Sequence, residues 1–124
     1  MKCEQEFCLL VATQRSVTET KLRAILASLI GSVLPTQCML TTSALDPSTS
    51  AVATLAREKN LPTRRVTVPL AVANSRIARL RINERLAAST QGCVAIWDGK
   101  DSLIKHLLGA AQFHKLRVWT FPLE

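Results

Sequence analysis

A chain of 124 residues, 48% apolar and 4% aromatic with no Tyr, has the length of one domain, residues 1–124, and enough aliphatic material to bury a core without disulfide staples. Its longest apolar runs, such as Cys8 to Ala12, fall far short of the roughly 20 residues that cross a bilayer. Acids in the opening residues argue against a secretory leader, so the expected location is cytoplasmic, while a formal charge of +7 points to phosphorylated ligands or nucleic acid as partners.

The first element is Glu6 to Thr13 (EFCLLVAT), an unbroken apolar run of the kind that fills a strand buried on both faces. Ser16-Val17-Thr18-Glu19 has the pattern of a capping box, with Ser16 bonding forward and Glu19 reaching back. The helix it opens carries Leu22, Ile25, Leu26, Leu29, Ile30 and Val33 at helical spacing, and Pro35 stands just beyond its end. Gln37 to Thr42 (QCMLTT) is a second strand. Asp46-Pro47-Ser48 opens a second helix, which places Pro in the first turn, runs through Val52, Leu55 and Ala56, and stops near Asn60. Arg64 to Pro69 (RRVTVP) is a short third strand.

Ser75 to Ser89 is a third helix with an untidy pattern. Ile77 and Leu80 point to one side, Ile82 and Leu86 to another. Its arginines are spread around the axis and do not form the stripe of a helix that reads nucleic acid. Gly92 to Trp97 (GCVAIW) is a fourth strand, followed by the turn Asp98 to Ser102. A fourth helix then passes through Leu103, Ile104, Leu107, Leu108 and Ala111. Lys115 to Phe121 is the last strand, closed by Pro122.

Cys8, Cys38 and Cys93 lie in apolar runs and are expected as reduced core thiols. No C-x-x-C pair exists, and His106 and His114 have no cysteine nearby, so neither metal nor cofactor is expected. The order βαβαβαβαβ predicts an α/β fold of three layers: a doubly wound, parallel five-stranded sheet with order 3-2-1-4-5, Rossmann-like. Such sheets take ligands beyond the carboxyl ends of their strands, where strand order reverses.

The stretch from Ile82-Asn83-Glu84-Arg85-Leu86 through Ile96-Trp97-Asp98-Gly99-Lys100 to Lys105-His106 resembles the small YspA-like branch of the SLOG superfamily. These are Rossmann-like domains related to the lysine-decarboxylase-named phosphoribohydrolases and to the core of the DNA-processing protein DprA. Trp97, Asp98 and Gly99 match that branch's strand-end Trp-Asp-Gly. Arg15 stands at the Arg of its first turn, and Asn83 at the Asn of an Arg-Asn pair whose Arg is replaced by Ile82. Leu61-Pro62 matches the end of the second helix. The glycines differ. Ser43, Ala44 and Pro47 occupy glycine positions of the second loop, Thr49 its Asp, and Leu103-Ile104 a Gly-Thr pair. Glycine loops let backbone N–H groups approach a phosphate, and Pro has no N–H to offer.

The resemblance implies a nucleotide or nucleotide-derived ligand at the strand C-termini, and the missing glycines point to binding without catalysis. The expected contacts are Arg15, Thr42, Ser43, Asn83, Asp98, Gly99 and Lys100. Two alternatives stay open: a nucleotide phosphoribohydrolase-type enzyme, although no Pro-Gly-Gly-x-Gly-Thr-x-x-Glu string is present, and a DNA-associated accessory protein, favoured by charge. Each site residue also has a plain structural role. Asp98-Gly99 is a good turn pair, Asp101 or Ser102 a good helix cap, and the hydroxyls of Thr41 to Ser43 suit capping. Homodimerisation through a helical face is expected.

Overall fold

The computed structural model describes residues 7–14, 17–32, 38–43, 48–66 and 75–123. Five strands, β1 (Phe7–Thr13), β2 (Cys38–Ser43), β3 (Thr63–Val66), β4 (Gly92–Ile96) and β5 (Arg117–Phe121), alternate with helices α1 (Glu19–Ser32), α2 (Thr49–Glu58), α3 (Arg76–Ala88) and α4 (Ser102–Phe113). All strands pair in parallel, in the order β3-β2-β1-β4-β5. This is the doubly wound, Rossmann-like arrangement. The central strands β1 and β4 are buried along their whole length, as their unbroken apolar sequences require. None of the helices among the described residues is long and apolar enough to cross a membrane.

Strand order runs outward from β1 to β3, then restarts on the other side of β1 with β4. Side chains alternate between the faces. Phe7, Leu9, Val11, Leu40, Val94 and Ile96 pack against Leu22, Leu26 and Leu29 of α1 and Val52 and Leu55 of α2. Leu10, Ala12, Cys93 and Ala95 face Leu86 of α3 and Ile104, Leu107 and Ala111 of α4. One position is fixed by close approach: a Cβ on Gly92 would lie 2.6 Å from Cζ of Phe7 and 3.1 Å from the Trp119 ring.

The local signals hold in part. Helix α1 begins at Glu19, and Thr18 Oγ1 accepts the Lys21 N–H. The cap is therefore Thr18, two residues later than the expected box. Ser16 itself lies outside the described residues, as do Asp46 and Pro47 ahead of α2 and the end of the predicted third strand. Ser75 caps α3 by accepting from the Ala78 N–H at 3.2 Å. Cys38 and Cys93 are buried thiols outside any disulfide, and burial raises the Cys38 thiol. Cys8, expected as a reduced thiol, is disulfide-bonded. Apolar surroundings report burial and leave oxidation state undetermined.

Helices α2 and α4 end in the same way. Leu61 N–H bonds to Ala56 O and Leu116 N–H to Ala111 O, with Asn60 and Lys115 at positive φ of 57° and 61°. Asn tolerates that conformation, whereas a Lys there costs about 1–2 kcal/mol. Lys115→Gly should remove the strain, offset by roughly 0.5–1 kcal/mol from the extra freedom of unfolded glycine. The expected net gain is about 0.5–1 kcal/mol, or a few degrees in Tm. An unchanged or lower Tm would show that the αL turn carries no strain.

Candidate functional site

A cavity of about 230 Å³ opens at the carboxyl end of β1, between that strand, α3 and α4. On the sheet side it is lined by Ala12 of β1 and by Ser43, which ends β2. Small side chains on the α3/α4 face leave a hollow where leucines would meet the helices. Leu10 closes its inner end, and Ile82, Leu86, Ile104 and Leu107 form apolar walls.

Polar groups enter from three directions. Arg79 lies on α3 in a stripe with Ile82, Asn83 and Leu86, at i, i+3, i+4 and i+7, and all four line the cavity. Arg79 Nε is buried without a hydrogen-bond partner. Asn83 Nδ2 donates to Leu103 O at 3.0 Å and sits 3.4 Å from His106 Nδ1, which fixes the amide and leaves Oδ1 as an acceptor. At the start of α4, Asp101 Oδ1 accepts both the Leu103 and Ile104 N–H groups at 3.0 Å. Asp101 is also part of the cavity wall.

The turn after β4 stands beside this cavity and outside its lining. Asp98 Oδ1 accepts the Lys100 N–H at 2.7 Å. That bond holds the Asp98 carboxyl below its usual range, with burial opposing and the Gln14 side chain assisting. Gly99 supplies the positive φ of 83° that closes the turn. Gln14, which does line the cavity, accepts the Asp98 N–H through Oε1 and so links turn to rim.

Of the residues expected from the sequence, Ser43 and Asn83 meet at the cavity. Asp98, Gly99 and Lys100 form the exposed turn next to it. Thr42 is buried at 3% exposure and, two residues from Leu40, turns toward α1 and α2. Arg15 lies outside the described residues. The structure adds Arg79, Gln14 and Asp101. Arg79 was readable: a polar residue completing an apolar stripe at helical spacing marks a helix face that meets a hollow. Gln14 was legible only as part of the loop after the first strand, because its bond to Asp98 depends on the turn that β4 brings alongside β1.

Other polar clusters point elsewhere. Glu84 lies 3.8 Å from His106 Nε2 and 3.9 Å from His114 Nε2, bridging the outer sides of α3 and α4. Among the described residues no group of three His, Cys, Asp or Glu side chains could hold a metal ion. Arg64 donates to Ser89 Oγ at 3.0 Å, tying β3 to the end of α3. The fold and cavity together define an open α/β domain with a small, mostly apolar chamber at its topological switch point. Comparison with protein-family models, with curated proteins and with solved structures returns no match.

Proposed function

We propose that this chain is a SLOG-like binding domain that takes a nucleotide or nucleotide-derived molecule in the β1–α3–α4 cavity and does not transform it. The observation that carries this reading is Arg79, a buried guanidinium Nε without a partner on the wall of an otherwise apolar chamber. Buried polar groups are ordinarily satisfied, and an unpartnered guanidinium N–H at a concave site suits an anionic ligand group. The apolar walls suit a planar base.

Two features favour binding over phosphoribohydrolase chemistry. Cleavage of a glycosidic bond needs the ribose phosphate held in register with an acid or base. The acid on this cavity, Asp101, has one oxygen committed to two helix N–H groups, and the first turn of α4 presents Leu103 and Ile104 in place of a phosphate cradle. The accessory-protein reading rests on charge. Arg23 is paired with Glu58 and Arg64 bonds to Ser89, which ties two of its cations into the fold.

Isothermal titration of the pure protein with purine nucleosides and their phosphates tests the proposal. At least one should bind with a stoichiometry of one. Arg79→Gln should weaken it tenfold or more, and Arg64→Gln should leave it nearly intact. Equal losses would mean that the diffuse basic field holds the ligand. Release of free base would establish catalysis, and salt-sensitive retention on DNA without nucleotide binding would favour the accessory role.

A further inference from the structure

We infer that His106 and Asn83 form a proton-operated latch between α4 and α3, closed while the imidazole is neutral and opened on its protonation, when Glu84 takes the ring. Asn83 lines the cavity, and His106 and Glu84 stand outside its lining. The latch goes beyond the binding reading and does not depend on which ligand the cavity takes. The geometry fixes each proton. Asn83 Nδ2 lies 3.0 Å from Leu103 O and 3.4 Å from His106 Nδ1. A carbonyl oxygen only accepts, so the atom beside it is the amide nitrogen and not the amide oxygen. One of its N–H groups goes to Leu103 O. The other is left for His106 Nδ1, which must then offer a lone pair. The neutral ring therefore carries its proton on Nε2.

Protonation reverses the balance. Both nitrogens of an imidazolium donate, so Nδ1–H and the amide N–H would meet donor to donor across 3.4 Å. Turning the amide over would set its oxygen against Leu103 O at 3.0 Å. Neither orientation keeps both bonds. On the far side of the ring, Glu84 Oε1 stands 3.8 Å from Nε2. That is too long for a hydrogen bond from the neutral ring and short enough for an ion pair with the charged one. The His106 side chain is 32% exposed, so it exchanges protons with solvent, and His is the side-chain type that changes charge between about pH 5 and 8. Other groups around α4 are accounted for. His114 Nε2, 3.9 Å from Glu84 Oε2, shares the same carboxylate. Arg76 reaches Ser102 Oγ and Asp101 caps the first turn, while β4 and β5 present Cys93, Ala95 and Val118 beneath the helix. In acid Leu103 O alone then holds Asn83, and the cavity wall between α3 and α4 loosens.

NMR of the isotope-labelled full chain tests this without any ligand. At about pH 8 the His106 ring should be the Nε2–H tautomer, and between about pH 8 and 5 the Asn83 side-chain amide signals should shift on the same curve as that ring. Their loss in Asn83→Ser assigns them. In His106→Gln the shift should vanish. In His114→Gln, which removes the other imidazole at Glu84, it should persist. A neutral ring protonated on Nδ1, or Asn83 signals that stay still while His106 titrates, overturns the latch, and both readouts come from the wild type whether or not a variant folds. A shift that survives His106→Gln, or one that disappears in His114→Gln, overturns it as well. Each of these outcomes is read in the absence of nucleotide, so failure of the latch leaves the cavity's binding reading to its own titrations.

Discussion

Arg79→Leu should make the protein more stable and deaf to its ligand. The guanidinium is half-buried and its Nε has no hydrogen-bond partner. An unsatisfied buried donor costs roughly 1–3 kcal/mol, and partial exposure places Arg79 at the low end. Leu and Arg have nearly equal helix propensity, so the exchange leaves the intrinsic stability of α3 unchanged. Leu would extend the apolar stripe through Ile82 and Leu86 onto the cavity wall. The expected gain is about 1 kcal/mol, seen as a rise of roughly 3–5 °C in Tm. Ligand at a hundred times its Kd should stabilise the wild type by about 2.7 kcal/mol, and that increment should vanish in the variant. Such a trade of stability against binding is what a residue kept for its ligand shows. A fall in Tm would instead identify Arg79 as a structural residue.

The fold was legible because its signals are redundant. Unbroken runs such as Cys8 to Ala12 and Cys93 to Ile96 required strands buried on both faces, and the alternation with helices then left a parallel sheet as the consistent topology. Element ends were less secure. The choice between Ser16 and Thr18 as the α1 cap turns on a fraction of a helical turn, and nothing in the local pattern separates two hydroxyl residues that close. The site was half legible. Ser43 and Asn83 were reached through loop position and resemblance, and Asp101 was legible both as a cap and, with Asp98 and Lys100, as part of the polar turn at the ligand rim. Thr42 was misplaced relative to the cavity by strand parity, since one residue along a strand reverses its face. The hollow itself is bordered by Ala12 of β1, Ser43 of β2 and residues of α3 and α4, a gathering that separate element sequences do not display.

The two faces of β1 should respond in opposite ways to a change in side-chain size. Leu9 is fully buried on the α1/α2 face, packed in a cluster with Leu26, Leu40 and Val94. Leu9→Ala removes that packing and leaves a void that its neighbours fill only in part, at a cost of about 2–5 kcal/mol. Against a total stability of roughly 5–15 kcal/mol for a domain, that is a large share. In urea the midpoint should fall by roughly 1–3 M at an unchanged slope. Ala12, three residues on and turned to the α3/α4 face, borders the cavity. Ala12→Leu inserts its added carbons into space that is already there, so the roughly 1–3 kcal/mol overpacking cost of a filled core does not apply. Burial of the added groups, at about 0.8 kcal/mol each, should leave the variant as stable as the wild type or up to about 2 kcal/mol more so. It should also block the chamber and abolish any nucleotide-induced rise in Tm. Destabilisation of Ala12→Leu by more than about 2 kcal/mol, the scale of true overpacking, would mean that the α3/α4 face is as tightly filled as the other and that no ligand chamber lies beneath it.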